Sequence, residues 1–393
     1  ITFKSAPNYE APGDAGGNNV YDVNVTASDG TNSATKAVAV TVTNVNEAPT
    51  VTSAGTASFA ENATGTVYTA AATDPDAGTT LTYSVSGADA ALFNINATTG
   101  AITFKSSPNY EAPGDAGGNN VYDVNVTASD GTNTTTQAVA ISVTNVNEAP
   151  TVTSGAAASF AENATGTVYT AAATDPDAGA TLTYSISGTD AALFNINATT
   201  GAVTFKSSPN YEAPTDAGGN NVYDVTVSAS DGTLTTSKAV AITVTNANEA
   251  PTITSGAAAS FAENASGTVY TAVAIDPDAG STLTYSISGA DAALFDINAT
   301  TGVVTFKSAP NYEAPGDAGG NNVYDVTVSA SDGSLTTSKA VAITVTNTNE
   351  APTITSAATA SFAENGSGTV YTAAATDPDA GATLTYSISG TDA

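Results

Sequence analysis

The chain has 393 residues, 7 Lys+Arg against 37 Asp+Glu and a formal net charge of −30, so it has no basic patch with which to hold nucleic acid or an anionic membrane. It contains no Cys, His, Met or Trp, which excludes disulfides, thiolate metal sites and the commonest general base and zinc ligand. No apolar run approaches the roughly eighteen residues of a membrane helix, so no direct membrane insertion is expected in this stretch, and stability must come from packing or from hard cations held by oxygen.

Ile1-Thr2-Phe3-Lys4 opens inside a strand-like segment. Asn-Tyr then precedes Glu10, as it precedes Glu111, Glu212 and Glu313, at intervals of 101 residues. The Asn-Glu-Ala-Pro element entered at Asn46, Asn147, Asn248 and Asn349 keeps that period, and so do Asp29, Asp130, Asp231 and Asp332. The reading is a segment of a longer array. It holds the C-terminal part of a repeat at 1–47, whole repeats at 48–148, 149–249 and 250–350, and the N-terminal part of another at 351–393. A period of this length is an ordinary domain size, so each whole unit is expected to have its own core.

Within 48–148 the first strand is expected near Val51, the next at Thr66–Thr73, and then one at Leu81–Val85. Further strands follow at Leu92–Ile95, Ala101–Phe104, Val121–Ala128 and Val139–Val143. Val121–Ala128 puts Tyr122, Val124, Val126 and Ala128 on one face and Asp123, Asn125 and Thr127 on the other, the alternation of a half-buried strand. Turn residues at Asp76-Ala77-Gly78, Thr98-Thr99-Gly100, Gly117-Gly118-Asn119 and Asp130-Gly131 separate the strands. Seven short strands per repeat predict an all-β chain: a tandem array of seven-stranded Greek-key β-sandwich domains in an extended rod. Tyr83 and Tyr122 fall on apolar faces and read as core.

Most carboxylates sit where strands begin or end. Glu61 precedes a strand, Asp74-Pro75-Asp76 opens a loop, Asp130 forms a hairpin turn, and Asn147-Glu148 closes the last strand. Gathered at the poles of a sandwich, these charges would repel one another without a cation between them. Oxygen ligands from separate segments, with no nitrogen or sulfur, describe calcium rather than a transition metal. Asp115, in the glycine-rich loop, reads as an exposed loop residue. Asn109 reads more as a turn residue than as a ligand.

These residues carry a family resemblance. Ala60-Glu61-Asn62, Asp74-Pro75-Asp76, Phe93-Asn94-Ile95 with Thr99-Gly100, Asn109-Tyr110-Glu111, Ala128-Ser129-Asp130-Gly131 and Asn147-Glu148-Ala149-Pro150 fall in cadherin-repeat order. The chain resembles the bacterial cadherin-like tandem repeats of large surface adhesins. The resemblance implies calcium between successive repeats. After 48–148, the ligands would be Glu61, Glu111, Asn147 and Glu148 upstream, with Asp175, Asp177 and Asp231 downstream. The carbonyls of Val146 and Ala149 would add to them. The same positions elsewhere are Glu10, Asn46 and Glu47 with Asp74, Asp76 and Asp130. They recur as Glu162, Glu212, Asn248 and Glu249 with Asp276, Asp278 and Asp332, and as Glu263, Glu313, Asn349 and Glu350 with Asp377 and Asp379. Asn109 replaces an expected Asp, the linker reads Asn-Glu-Ala-Pro where the family favours Asp-Asn-Xaa-Pro, and the loop Glu111–Asn120 is extended. The number of ions per junction is therefore left open.

The implied function is a calcium-rigidified extracellular stalk or fibre, with further copies of the repeat as its neighbours. The other reading is that the repeats themselves mediate homophilic or host-surface adhesion, or pack laterally. Enzymatic glycoside hydrolysis by a pair such as Asp175 and Asp177 would need a cleft and one raised pKa. An exposed, repeated set is expected to offer neither.

Overall fold

The computed structural model describes residues 1–392. In the repeat 48–148 the strand Val121–Ser129 buries Tyr122, Val124, Val126 and Ala128 and exposes Asp123, as its alternation demands. It pairs antiparallel with Thr134–Thr144 through the Asp130 turn, and with Thr82–Ser86 on its other side. The strand Thr56–Ala60 completes this four-stranded sheet by running parallel to Thr134–Thr144. The facing sheet is Thr66–Thr69, Ala101–Phe104 and Phe93–Ile95, all antiparallel.

Two features depart from the sequence reading. The strand Thr56–Ala60 was not expected. It is five small or aromatic residues whose partner lies in the last strand of the repeat. The segment Thr66–Thr73, expected as one strand, divides at Ala70-Ala71 and changes partners. Its second part, Ala72–Thr73, pairs with Thr50–Val51. Gly100 makes the division possible: its φ is +71°, and a Cβ there would lie 2.3 Å from the Ala70 carbonyl oxygen. Counting Thr50–Val51 with Thr56–Ala60 as one interrupted strand, and Thr66–Thr69 with Ala72–Thr73 as another, the unit is the expected seven-stranded sandwich.

Between the sheets lie Val67, Tyr68, Phe93, Ile102, Tyr122, Val124, Val126, Val139, Ile141 and Val143. Phe104 packs 4.4 Å from Phe93 and 5.0 Å, edge to face, from Tyr122, measured between ring centroids. Such pairs add to the burial of apolar area, which is the main stabilising term. The tyrosine hydroxyls leave the core to find backbone: Tyr68 donates to the Ala54 carbonyl at 2.6 Å, and Tyr122 accepts from the Gly114 N–H at 3.1 Å.

The sheets recur in the same order in the two following repeats. At the chain's start, Val20–Ser28 pairs with Ser33–Thr41; at its end, Thr353–Ile354 pairs with Ala375–Thr376. No helix among the described residues is long and apolar enough to cross a membrane.

Candidate metal centre

Glu61 leaves the strand Thr56–Ala60 at the pole of the sandwich, where its N–H donates to the Thr144 carbonyl. Its carboxylate is buried, with only 2% of the residue exposed. Burial is tolerable because both oxygens accept main-chain hydrogen bonds, from Val146 N–H at 2.8 Å and Tyr110 N–H at 2.7 Å. Glu61 therefore ties the linker to the Asn109-Tyr110-Glu111 segment. Asn62, in the left-handed region at φ 57°, donates its side-chain amide to Glu148 Oε1 at 2.5 Å. Carboxylate oxygens of Glu61, Glu111 and Glu148 thus lie within 4.8 Å of one another. Glu162, Glu212 and Glu249 form the same trio, as do Glu263, Glu313 and Glu350.

The next repeat contributes from the other side. Asp177 accepts from Glu148 N–H and from Asn145 Nδ2, both at 2.8 Å, and donates its own N–H to Asp175 Oδ1 at 2.9 Å. Asp278 holds Glu249 and Asn246 in the same way, and Asp76 holds Glu47 and Asn44. At the last junction Asp379 accepts from Glu350 N–H and donates to Asp377. At the first, Glu10, Glu47 and Asp76 form the trio.

The remaining sequence candidates have other partners. Asn46, Asn147 and Asn248 donate to Asp130, Asp231 and Asp332 across the junction at 2.7 to 2.8 Å. Those aspartates also cap their own hairpins, as Asp231 does by accepting from Thr233 and Leu234. Asn349 donates to the Glu350 carbonyl.

Crowding shifts the titration of the cluster. Burial, then the charges of Glu162, Glu212 and Asp278, push Glu249 up to about 7. Burial, then Glu61 and Glu111, raise Glu148; burial and the Glu61 charge also raise Glu111. These shifts arise because residues scattered over 87 positions meet at one pole, half out of water. Asp130, Asp231 and Asp332 are lowered instead, chiefly by main-chain N–H donors.

The chemistry of unpartnered atoms tests whether calcium fits. Glu111 Oε2 and Glu148 Oε2 from one repeat, and Asp175 Oδ2 from the next, are buried and accept no hydrogen bond. Glu212, Glu249 and Asp276 repeat the pattern oxygen for oxygen. Buried acceptors without donors are costly. An all-oxygen, multiply charged set drawn from two domains suits a hard cation.

Asn109 Oδ1 accepts from Ala112 N–H, so that oxygen serves the turn, as expected. One side chain differs from the sequence reading. Asp115 is buried and not exposed, because its carboxylate accepts from Asn119 and Asn120 N–H and so folds the glycine-rich loop around itself. Asp89, which had no assigned role, is buried and anchors the same loop through Ala116 N–H and Asp123 N–H, each at 2.7 Å. A concavity of about 240 Å³, lined among others by Leu92, Phe104, Lys105, Pro108 and Tyr122, contains none of the clustered carboxylates.

Residues 156–245 and 257–346 each match the cadherin domain model. These repeats belong to the cadherin domain family. The chain is 33% identical over 290 residues to protocadherin Fat 4 of Mus musculus and 32% identical over 263 residues to that of Homo sapiens. The matches take in 69% and 62% of this chain but only 5% of either relative. Among solved structures, the protocadherin gammaB4 extracellular domain superposes with a TM-score of 0.60 at 24% identity, over 96% of this chain and 63% of that one. Domains 1–5 of protocadherin gamma B2 give 0.59 at 22% identity, over 85% and 67%. At these identities the likeness is one of fold.

Proposed function

We propose that this chain is a segment of an extracellular stalk, of the kind found in large repetitive bacterial surface adhesins, whose cadherin repeats are fixed end to end by calcium at each junction. The observation that carries the reading is the set of buried, donorless oxygens on Glu111, Glu148 and Asp175, contributed by two successive repeats. Calcium, when bound, supplies two positive charges and accepts six to eight oxygens. Glu61, Glu111 and Glu148 would hold it from upstream, and Asp175 and Asp177 from downstream.

The protein's own bonds prepare this arrangement. Glu61 locks the linker and the Glu111 segment together, Asn62 orients Glu148, and Asp177 grips the linker from the next repeat. Asn147 braces the hairpin of that next repeat through Asp231. Neutralising the trio removes the repulsion that opposes docking, and a site shared by two domains fixes the angle between them. Support for a structural role comes from near-identity: a binding site for one partner would be expected in one repeat, whereas these junction residues recur in every one. The family and the Cys-free acidic composition support an extracellular setting.

Thermal melting of the full chain tests this. An ion that binds only the folded state stabilises it by about 2.7 kcal/mol at a hundred times its Kd. The melting temperature should therefore climb as calcium is added and fall with chelator. An unchanged curve from micromolar to ten-millimolar calcium would contradict the proposal.

A further inference from the structure

Asn120 sits at the end of the glycine-rich loop in the left-handed region, at φ 60°. Only glycine and, less readily, asparagine or aspartate adopt this conformation cheaply. The loop is held in place before Asn120 is reached, because Asp89 anchors Ala116 and Asp115 accepts the Asn120 N–H at 3.0 Å. Two bonds then leave Asn120 in different directions. Its side-chain amide donates to the Tyr110 carbonyl at 2.8 Å, and its main-chain carbonyl accepts from Val143 N–H at 2.8 Å.

Each bond grips a segment that carries a clustered carboxylate. Tyr110 directly precedes Glu111, and its N–H is already held by Glu61. Val143 lies in the strand that leads to the linker and Glu148. The same pair of bonds recurs at Asn19, Asn221 and Asn322. Their side chains donate to Tyr9, Tyr211 and Tyr312 at 2.7 to 2.8 Å. Their carbonyls accept from Val42, Val244 and Val345. In all four copies the asparagine Oδ1 is buried without a partner, so the donor nitrogen is the working half of the amide.

We infer that Asn120 and its equivalents are positioning residues for the junction site: the glycine-rich loop acts as a clamp that fixes the spacing of Glu111 and Glu148. The inference rests on the calcium reading above. It assigns the loop a task on the site without contact to it. Asn120→Gly keeps the left-handed backbone and the Val143 bond while removing the amide donor. Asn120→Asp keeps the shape but turns a carboxylate toward the Tyr110 carbonyl.

The test uses the full chain with Asn120, Asn221 and Asn322 all changed to Gly, or all to Asp. Calcium is titrated by calorimetry, and melting is followed in chelator as a separate readout. The loss of one net hydrogen bond corresponds to a several-fold weakening. The Gly protein should bind calcium about three- to tenfold more weakly and the Asp protein more weakly still. Melting in chelator should fall less for the Gly protein than melting in calcium does. Wild-type affinity in both variants would overturn the clamp while leaving the calcium reading intact. A Gly protein whose chelator melting falls as far as its calcium-bound melting would also overturn it, since the amide would then serve the fold generally. Absence of calcium binding by the wild-type chain would overturn both.

Discussion

The core of each sandwich and the pole where it meets its neighbour are built on opposite terms. In the core, Ile102, Val126 and Ile141 are wholly buried among apolar partners, and nearby tyrosine hydroxyls reach main-chain groups. Two sheets packed face to face, about 10 Å apart as sheets generally are, complete themselves. At the pole, Glu61, Glu111 and Glu148 lie within 4.8 Å of one another, and several of their neighbouring oxygens accept nothing. The fold is therefore satisfied within one repeat, whereas the junction is not satisfied by protein atoms alone. On the proposed function, stability and mechanical state would be stored in different places, and one could be altered without the other.

The largest effect should come from the core. Ile102→Ala removes a fully buried side chain and should cost its repeat about 2–5 kcal/mol. Melting should show the same loss in calcium and in chelator. A loss that disappears when calcium is removed would erase the distinction between the two regions.

A smaller effect, of two signs, is expected at the pole. Glu148→Ala takes one charge from a crowded trio, so in chelator its junction should be no less stable than wild type. In calcium it should lose most of the added stabilisation at that junction, on the order of 1–3 kcal/mol. Equal destabilisation under both conditions would make Glu148 an ordinary structural residue.

The smallest effect is the dependence on pH in chelator. Glu249 titrates at about 7 in the folded chain against an ordinary value of 4.5. Between those values the folded state keeps a proton that the unfolded chain has lost, so stability rises as pH falls through this window. Melting at about pH 5.5 should exceed melting at about pH 8, and calcium should remove the difference. Carboxylates held low by main-chain donors, such as Asp231 and Asp332, act the other way only at more acid pH, where their protonation costs stability.

Much of the fold was legible because strand periodicity is local. Val121–Ser129 declares its buried face in nine consecutive residues. The strand Thr56–Ala60 was hidden, since Thr-Ala-Ser-Phe-Ala has little alternation and its parallel partner begins at Ala140. The clustered carboxylates were legible through motif order. Their raised titration was not, because it depends on a convergence that no single segment contains. Asn62 and Asn120 were equally silent: each works through a left-handed backbone and a bond to a residue 86 or 10 positions away. Asp115 looked like loop surface because glycines surround it, yet those glycines let the loop close over its carboxylate.

Small-angle scattering of the full chain, recorded in millimolar calcium and again in chelator, tests the central claim most directly. A rod fixed at its junctions should give a long, narrow distribution of interatomic distances in calcium, and a shorter, broader one when the ion is withdrawn. Matching curves under the two conditions, with the chain folded in both, would contradict the account.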